Sequence, residues 1–203
     1  MHAWSRRLLL VGAMVLAFGA GLGPAAALEP AAARSFIADL AQRATVILNS
    51  DESLERRRDD LRVLLYEGFD VGFIAATVLG PPFRDLSEAQ RKAYLEAFEQ
   101  WVVSTYASRL DDYSGQRLEM VSAEPIGRND VRVATRVVGA DQPVRIDWRV
   151  RERSGSLQII DIEVEGIGSM VVTHRNEFNS VVQRRGVEGL ISVLQERAAT
   201  VSS

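Results

Sequence analysis

Alternating apolar and charged residues mark a β-hairpin in the second half of the chain. Between Val144 and Arg151 the even positions are apolar and the odd positions are charged. Successive side chains of a strand point to opposite faces, so this segment has one dry face and one wet face. Residues 154–156 (Ser-Gly-Ser) are typical of a turn, and the alternation resumes over residues 160–165. The pattern predicts two antiparallel strands whose dry face must be covered.

The register of this hairpin follows from its charges. If Val150 lies opposite Ile160, then Arg149 lies opposite Asp161. A cross-strand pair of opposite charge is attractive. We therefore expect an ion pair between Arg149 and Asp161.

Weaker alternation predicts two earlier strands, over residues 117–123 and 131–138. Short polar connections separate all four strands, which favours an antiparallel meander. Elsewhere, apolar residues recur at helical spacing and the helix ends carry capping, glycine or proline signals. The predicted helices cover residues 30–48, 54–67, 71–79, 87–110, 173–185 and 187–198.

These elements predict an α+β fold in which helices cover one face of a curved antiparallel sheet of about four to five strands. Residues 28–203 are expected to form a single domain. Its order is helical over 30–112, strands over 117–165, and helical again over 169–198.

Residues 1–27 have the pattern of a secretory signal peptide. Arg6 and Arg7 precede an apolar stretch over 8–22, and small residues at 25–27 suit cleavage. A single membrane anchor is the alternative interpretation. Cleavage would leave an exported chain, which we expect to act in the periplasm.

Composition argues against several classes of function. The chain has 24 basic and 27 acidic residues, so no strongly basic face for nucleic acid is expected. It has no cysteine, which excludes disulfides and thiol chemistry.

Candidate catalytic groups are few. After the leader the only histidine is His174, and no Gly-x-Ser-x-Gly motif accompanies it. Asp161, Glu163 and Glu165 could bind a hard cation, although acids at every second position are typical of a wet strand face. We therefore predict no catalytic set, no cofactor and no metal site.

The large aromatic residues offer apolar surface instead. They could converge between the helices and the sheet, as an ordinary core or as the wall of a ligand site. Periodicity alone does not separate these two readings. The residues concerned are Phe69, Phe73, Phe98, Trp101, Tyr106 and Trp148.

Several segments in order resemble one known family. They are Phe69-Asp70 with Ile74-Ala75 and Leu79-Gly80, Arg84 before Leu86-Ser87 and Gln90-Arg91, Thr105-Tyr106-Ala107 with Leu110 and Tyr113, Ile146-Asp147-Trp148-Arg149-Val150, Asp161-Ile162-Glu163-Val164-Glu165-Gly166, and Arg175, Phe178 and Leu190-Ile191. The chain resembles the MlaC family of periplasmic phospholipid-binding proteins, also called the toluene-tolerance family. The similarity spans about residues 31–194.

The resemblance implies an NTF2-like body with an added helical part and an apolar cavity for lipid acyl chains. Nothing in the sequence indicates an obligate dimer, so we expect a monomer, and we expect no cofactor. Members of the family carry lipid between an inner-membrane ABC transporter complex and an outer-membrane lipoprotein complex.

On this basis we assign candidate lipid-binding residues, with Arg84, Tyr106 and Tyr113 near the head group at the mouth. The predicted wall comprises Phe69, Phe73, Ile74, Val78, Phe98, Trp101, Val102, Tyr106, Tyr113, Val133, Ile146, Trp148, Val150, Ile160, Ile162, Val164, Phe178 and Val182. A tryptophan at Val133 or at Ile162 is expected to fill the cavity.

The chain departs from the family pattern at Leu157-Gln158, Ile167-Gly168 and His174. Where His174 stands, family members commonly have an aromatic residue. A related branch is associated with hopanoids, so phospholipid and hopanoid both stay open as cargo. Two further hypotheses are an NTF2-like enzyme that uses a buried carboxylate such as Asp70, and an adaptor that binds only proteins.

Overall fold

A computed structural model describes residues 28–107, 113–139 and 142–201. It confirms the α+β fold, with five α-helices and a five-stranded antiparallel sheet. The elements are α1 (Pro30–Leu48), α2 (Leu54–Gly68), α3 (Val71–Leu79), a 3₁₀ helix (Pro81–Asp85), α4 (Glu88–Ala107), β1 (Arg117–Ile126), β2 (Asp130–Val138), β3 (Val144–Arg153), β4 (Ser156–Val164), β5 (Gly168–Ser169) and α5 (Met170–Val201). The proposed signal peptide and Leu110, the predicted end of the fourth helix, lie outside the described residues.

Local signals account for most helix ends. The Asp70 carboxylate accepts a hydrogen bond from the Phe73 amide at 2.9 Å and caps α3. Ser87 and Gln90 exchange hydrogen bonds of 3.2 and 3.1 Å at the start of α4, which is a capping box. Gly186, with φ 67° and ψ −177°, breaks the α5 segment where a helix stop was predicted.

Gly68 is at the end of a helix, where glycine usually serves to stop the helix, but here it allows two helices to pack closely. It is the last residue of α2 and lies against α1. A Cβ atom there would lie 2.9 Å from the Leu40 side chain. The glycine therefore permits the close approach of α1 and α2.

The sheet is a meander in the order β1-β2-β3-β4-β5. Ser154 (φ 51°) and Gly155 (φ 80°) form the tight turn between β3 and β4. Arg149 lies opposite Asp161 as predicted, but Val150 lies opposite Ile159. The predicted pairing of Val150 with Ile160 is wrong because a bulge inserts one extra residue into β4.

The expected ion pair between Arg149 and Asp161 is also wrong. The Arg149 and Arg151 guanidinium groups instead bind the Asp130 carboxylate, at 2.5 and 2.6 Å. Asp130 is only 5% exposed. Although its partial burial raises the pKa of this carboxyl, the hydrogen bonds from Arg151 and Arg149 bring the pKa below its ordinary value. Asp161 has other partners at the start of α5.

Buried apolar residues form two clusters. The first, which we call the helical core, joins α3, α4 and α5 and contains Ala75, Val78, Leu79, Tyr94, Ala97, Phe98, Trp101, Val171, Phe178, Val181, Leu190, Ile191 and Leu194. The second, the sheet core, joins α1 to the dry face of the sheet and contains Leu28, Ala33, Ile37, Val131, Val133, Val150 and Ile159. No helix in the described part of the chain is long and apolar enough to cross a membrane.

Candidate functional site

A cavity of about 510 Å³ lies between the helical core and the sheet core and is partly open to solvent. Its volume falls within the range of roughly 300–1,000 Å³ that is typical of small-molecule sites. The wall is mostly apolar and consists of Ile37, Leu40, Ala41, Ala44, Thr45, Leu48, Leu61, Arg62, Leu64, Leu65, Phe69, Val71, Ile74, Val78, Phe98, Trp101, Val102, Val103, Tyr106, Tyr113, Gln116, Arg117, Leu118, Val137, Ile146, Trp148, Ile159, Asp161, Ile162, Met170, Val171 and His174.

The sheet side of the cavity is held in place by a short chain of hydrogen bonds. The Trp148 indole N–H donates to the Thr135 hydroxyl at 2.9 Å, and that hydroxyl donates to the Ile146 carbonyl at 2.8 Å. Thr135 itself is fully buried. Because the polar atom of Trp148 has a partner, its ring can present an apolar surface to the cavity.

Packed aromatic rings support the helix side. The Phe98 ring centroid lies 5.5 Å from that of Trp101, and the Phe178 ring centroid lies 5.3 Å from that of Trp101. The buried Tyr94 hydroxyl donates to the Ala75 carbonyl at 2.9 Å and so joins α4 to α3. Burial raises the pKa of Tyr94 well above its ordinary value, so this hydroxyl keeps its proton.

Asp161 is the one acidic residue of the described wall. Its carboxylate accepts hydrogen bonds from the Ser169 hydroxyl at 2.5 Å, the Val171 amide at 3.1 Å and the Ile162 amide at 2.8 Å. These bonds attach the start of α5 to β4 and close one end of the cavity. The carboxylate therefore has a structural role, and its acceptor sites are largely occupied.

His174 lies beside this end, with its ring 4.8 Å from the Trp101 ring. Both ring nitrogens are buried and lack a hydrogen-bond partner among the described residues. The Glu177 carboxylate lies 3.6 Å from Nδ1 and accepts a hydrogen bond from Arg197 at 2.6 Å. Burial lowers the pKa of His174, so the imidazole is neutral near pH 7.

Solvent exposure identifies the mouth. Among the wall residues only Arg62, Tyr106 and Arg117 are exposed. Tyr113 lies next to them, and its hydroxyl accepts a hydrogen bond of 3.0 Å from the Asn49 side chain at the end of α1. The mouth is therefore formed by four elements. They are the C-terminal end of α1, the middle of α2, the C-terminal end of α4 and the start of β1.

Eleven of the predicted lipid-binding residues lie in the cavity wall. They are Phe69, Ile74, Val78, Phe98, Trp101, Val102, Tyr106, Tyr113, Ile146, Trp148 and Ile162. The structure thus brings together residues from α3, α4, β3 and β4 that are far apart in sequence.

The other predicted wall residues do not line the cavity. Val133 and Val150 belong to the sheet core, and Phe178 and Val182 pack in the helical core. Phe73 lies beneath the guanidinium groups of Arg151 and Arg153, at 5.4 and 5.2 Å. The β4 bulge displaces Ile160 from the register of its neighbours. Val164 lies where β4 meets β5, and Arg84 is exposed on the 3₁₀ helix, away from the mouth.

The sequence reasoning missed the contribution of α1 and α2. Their stripe was interpreted as an ordinary amphipathic face, yet Leu40, Ala41, Ala44, Leu61 and Leu65 all line the cavity. Small alanine side chains on the apolar stripe of a helix leave space beside the sheet unfilled. The repeated alanines of α1 were therefore the sequence signal that could have indicated a cavity.

Asp70, which the enzyme hypothesis offered as an example of a buried carboxylate, is not in the cavity wall. One of its oxygens caps α3, and the other accepts a hydrogen bond from Arg153 at 2.6 Å. The expectation that Asp70 points into the cavity is therefore wrong. Both of its oxygens already bind donors of the protein.

Comparison with known proteins identifies the family. The sequence profile of the MlaC protein matches residues 38–196. The chain belongs to the MlaC family. The MlaC-type segments quoted above, from Phe69 to Leu190-Ile191, all lie within the matched region.

One curated protein and one solved structure are also similar to this chain. The intermembrane phospholipid transport system binding protein MlaC of Haemophilus influenzae is 24% identical over 132 residues, which are 63% of this chain and 61% of that protein. The solved structure of a phospholipid-binding protein from Ralstonia solanacearum, in complex with a phospholipid, superimposes with a TM-score of 0.75 at 21% identity. That match covers 84% of this chain and 99% of the other, and it shows that the two share a fold.

Proposed function

We propose that this MlaC family member is a phospholipid carrier that holds acyl chains in the cavity while the head group stays at the mouth. The observation that carries the proposal is the cavity itself. Its described wall is mostly apolar, and the exposed residues of that wall are Arg62, Tyr106 and Arg117. An interior of this kind suits alkyl chains and offers few polar contacts to other ligands.

The energetics of lipid transfer suit a carrier without catalytic groups. A phospholipid has roughly 30 methylenes, each worth about 0.8 kcal/mol on leaving water. The gross value is therefore about 25 kcal/mol, and a bilayer offers the same. A carrier needs only to match the membrane, so that small differences at docking sites set the direction of transfer.

We further propose the route of this carrier. Export by residues 1–27 would place it in the periplasm as a monomer. There it would exchange lipid with an inner-membrane ABC transporter complex and an outer-membrane lipoprotein complex. The names of the matched relatives support a phospholipid cargo and a transport role.

Mass spectrometry of lipid extracted from the purified protein tests the cargo. Protein expressed with its leader and isolated without detergent is expected to carry phospholipid near one equivalent per chain. A hopanoid would replace the proposed cargo with a polycyclic lipid. Protein that is folded and free of lipid would contradict the proposal and favour the adaptor hypothesis.

A further inference from the structure

The exposed side chains of the described cavity wall are basic or neutral, although the chain as a whole carries a net charge of −3. Two of the three exposed wall residues are arginines, Arg62 from α2 and Arg117 from the start of β1. The only acidic residue of the described wall is Asp161, and its carboxylate is occupied by hydrogen bonds at the start of α5. Among the described wall residues, no carboxylate is therefore left to neutralise these arginines.

The Arg62 and Arg117 guanidinium groups are available to a ligand. Arg62 pairs with Asp59 at 3.3 Å, but the two side chains are 53% and 55% exposed. An exposed ion pair of this kind is weak, so a ligand anion can replace it. Within the part of the chain that the structure describes, no carboxylate forms an ion pair with Arg117.

Helix and strand geometry place both arginines at the level of the same part of α1. The Arg57 guanidinium donates to the Leu48 carbonyl, and Glu67 pairs with Arg43, so α2 runs antiparallel to α1. Arg62, midway between Arg57 and Glu67, therefore lies near Thr45.

The same argument applies to β1. Arg34 donates to the Met120 carbonyl and Asn49 donates to the Tyr113 hydroxyl, so β1 is also antiparallel to α1. Arg117 lies between Tyr113 and Met120. Both arginines therefore lie at the level of the later half of α1, and both belong to the wall of the same cavity.

We propose that Arg62 and Arg117 bind the phosphate of the lipid head group and give the carrier a preference for net anionic phospholipids over zwitterionic ones. This inference rests on the proposed function and adds a specificity to it. Guanidinium groups bind phosphate oxygens with strong, charge-assisted hydrogen bonds. A zwitterionic head group brings its own cation to the same place, which two arginines repel.

A competition between two lipids tests the proposal. Lipid-free protein is incubated with vesicles that contain equal amounts of phosphatidylglycerol and phosphatidylethanolamine with identical acyl chains. The lipid bound to the re-isolated protein is then identified by mass spectrometry. We expect about threefold enrichment of phosphatidylglycerol, in keeping with the size of exposed charge interactions. Raised salt should reduce the enrichment by screening.

Variants separate charge from other effects. The double variant Arg62→Gln/Arg117→Gln should bind phosphatidylglycerol and phosphatidylethanolamine in equal amounts, so that the enrichment is lost. Arg62→Lys/Arg117→Lys should keep most of the enrichment. Arg136→Gln is the matched control, since Arg136 is an exposed arginine outside the cavity wall, and it should behave as the wild type does. Equal thermal midpoints verify that each variant is folded.

Each outcome has a distinct meaning. Lipid bound at equal ratios by the wild type, or enrichment unchanged in the glutamine double variant, would overturn the phosphate assignment and leave the carrier proposal standing. No lipid bound by any protein would instead contradict the carrier proposal. Calorimetry with inorganic phosphate alone tests whether the two arginines bind free phosphate and not a lipid head group. Binding of phosphate that requires Arg62 and Arg117 and is unaffected by lipid would assign the site to the free ion.

Discussion

One row of side chains crosses two regions of the sheet that differ in what covers them. Val133, Trp148 and Ile162 lie directly opposite one another on β2, β3 and β4 and therefore share a face. Val133 is fully buried in the sheet core with Ile37 of α1. Ile162, two strands away, borders the cavity.

The difference between these regions arises from the helices. α1 packs on β1 and β2, whereas α2, α3 and α5 contact β4 from around the cavity. The same dry face is thus packed core at Val133 and cavity wall at Ile162. α1 contributes to both regions, because Ala33 lies in the sheet core and Leu40 lines the cavity. Whether an apolar strand residue lies in the core or in the cavity wall depends on the helix residues packed over it, and the alternating pattern of its strand does not determine this.

The comparison predicts its largest effect at Val133. Val133→Trp adds a large ring where no space exists, so we expect a loss of about 3 kcal/mol in the free energy of unfolding, or failure to fold. Urea denaturation measures this loss. A stable Val133→Trp protein that no longer binds lipid would show that the cavity extends beneath β2.

Ile162→Trp is the matched substitution on the cavity side of the same row. The added ring can enter the cavity, so the free energy of unfolding should change by only about 1 kcal/mol. Bound lipid, and transfer of fluorescent phospholipid between vesicles, should be largely lost. Unfolding of this variant, or lipid transfer at the wild-type rate, would contradict the assignment of Ile162 to the cavity wall.

The smallest effect is expected at His174, at the closed end of the cavity. Burial lowers the pKa of this imidazole in the folded protein, below its ordinary 6.5. At low pH the imidazole therefore binds a proton more readily in the unfolded chain than in the folded protein. The free energy of unfolding is highest above the ordinary pKa, and it decreases as the pH falls towards the pKa of the folded protein.

His174→Phe removes this linkage while keeping an aromatic ring against Trp101. Urea denaturation at about pH 7.5 and about pH 5 should show a smaller loss of stability on acidification in the variant than in the wild type. Equal losses would mean that the other charges near this site, on Glu177 and Arg197, dominate the pH response.

Local chemistry explains why so much of the fold could be predicted from the sequence. Asp70 caps the start of α3, and the Ser87–Gln90 pair caps the start of α4. Ser154-Gly155 allows the tight turn of the hairpin. These signals act within a few residues of the chain and need no tertiary information.

The site was less predictable because its determinants are not local. Ile159 and Ile160 are the same residue type, so the hydrophobic pattern could not show which of them faces the sheet core. Val133 and Ile162 have the same strand pattern but different covers. Arg84 was chosen for the mouth from the family resemblance, whereas the exposed arginines of the mouth come from α2 and β1.

The central claim is that acyl chains occupy the space between the two cores, and tryptophan fluorescence tests it most directly. Trp101 and Trp148 face this cavity from opposite sides. Trp4 lies in the proposed leader, so in the exported protein these two tryptophans report on the contents of the cavity. We predict that phospholipid with brominated acyl chains quenches their emission strongly, while the same lipid without bromine does not. In the Ile162→Trp variant the added ring takes the place of the chains and should also remove lipid binding. Lipid that binds at one equivalent without quenching either tryptophan would place the chains elsewhere and contradict the account.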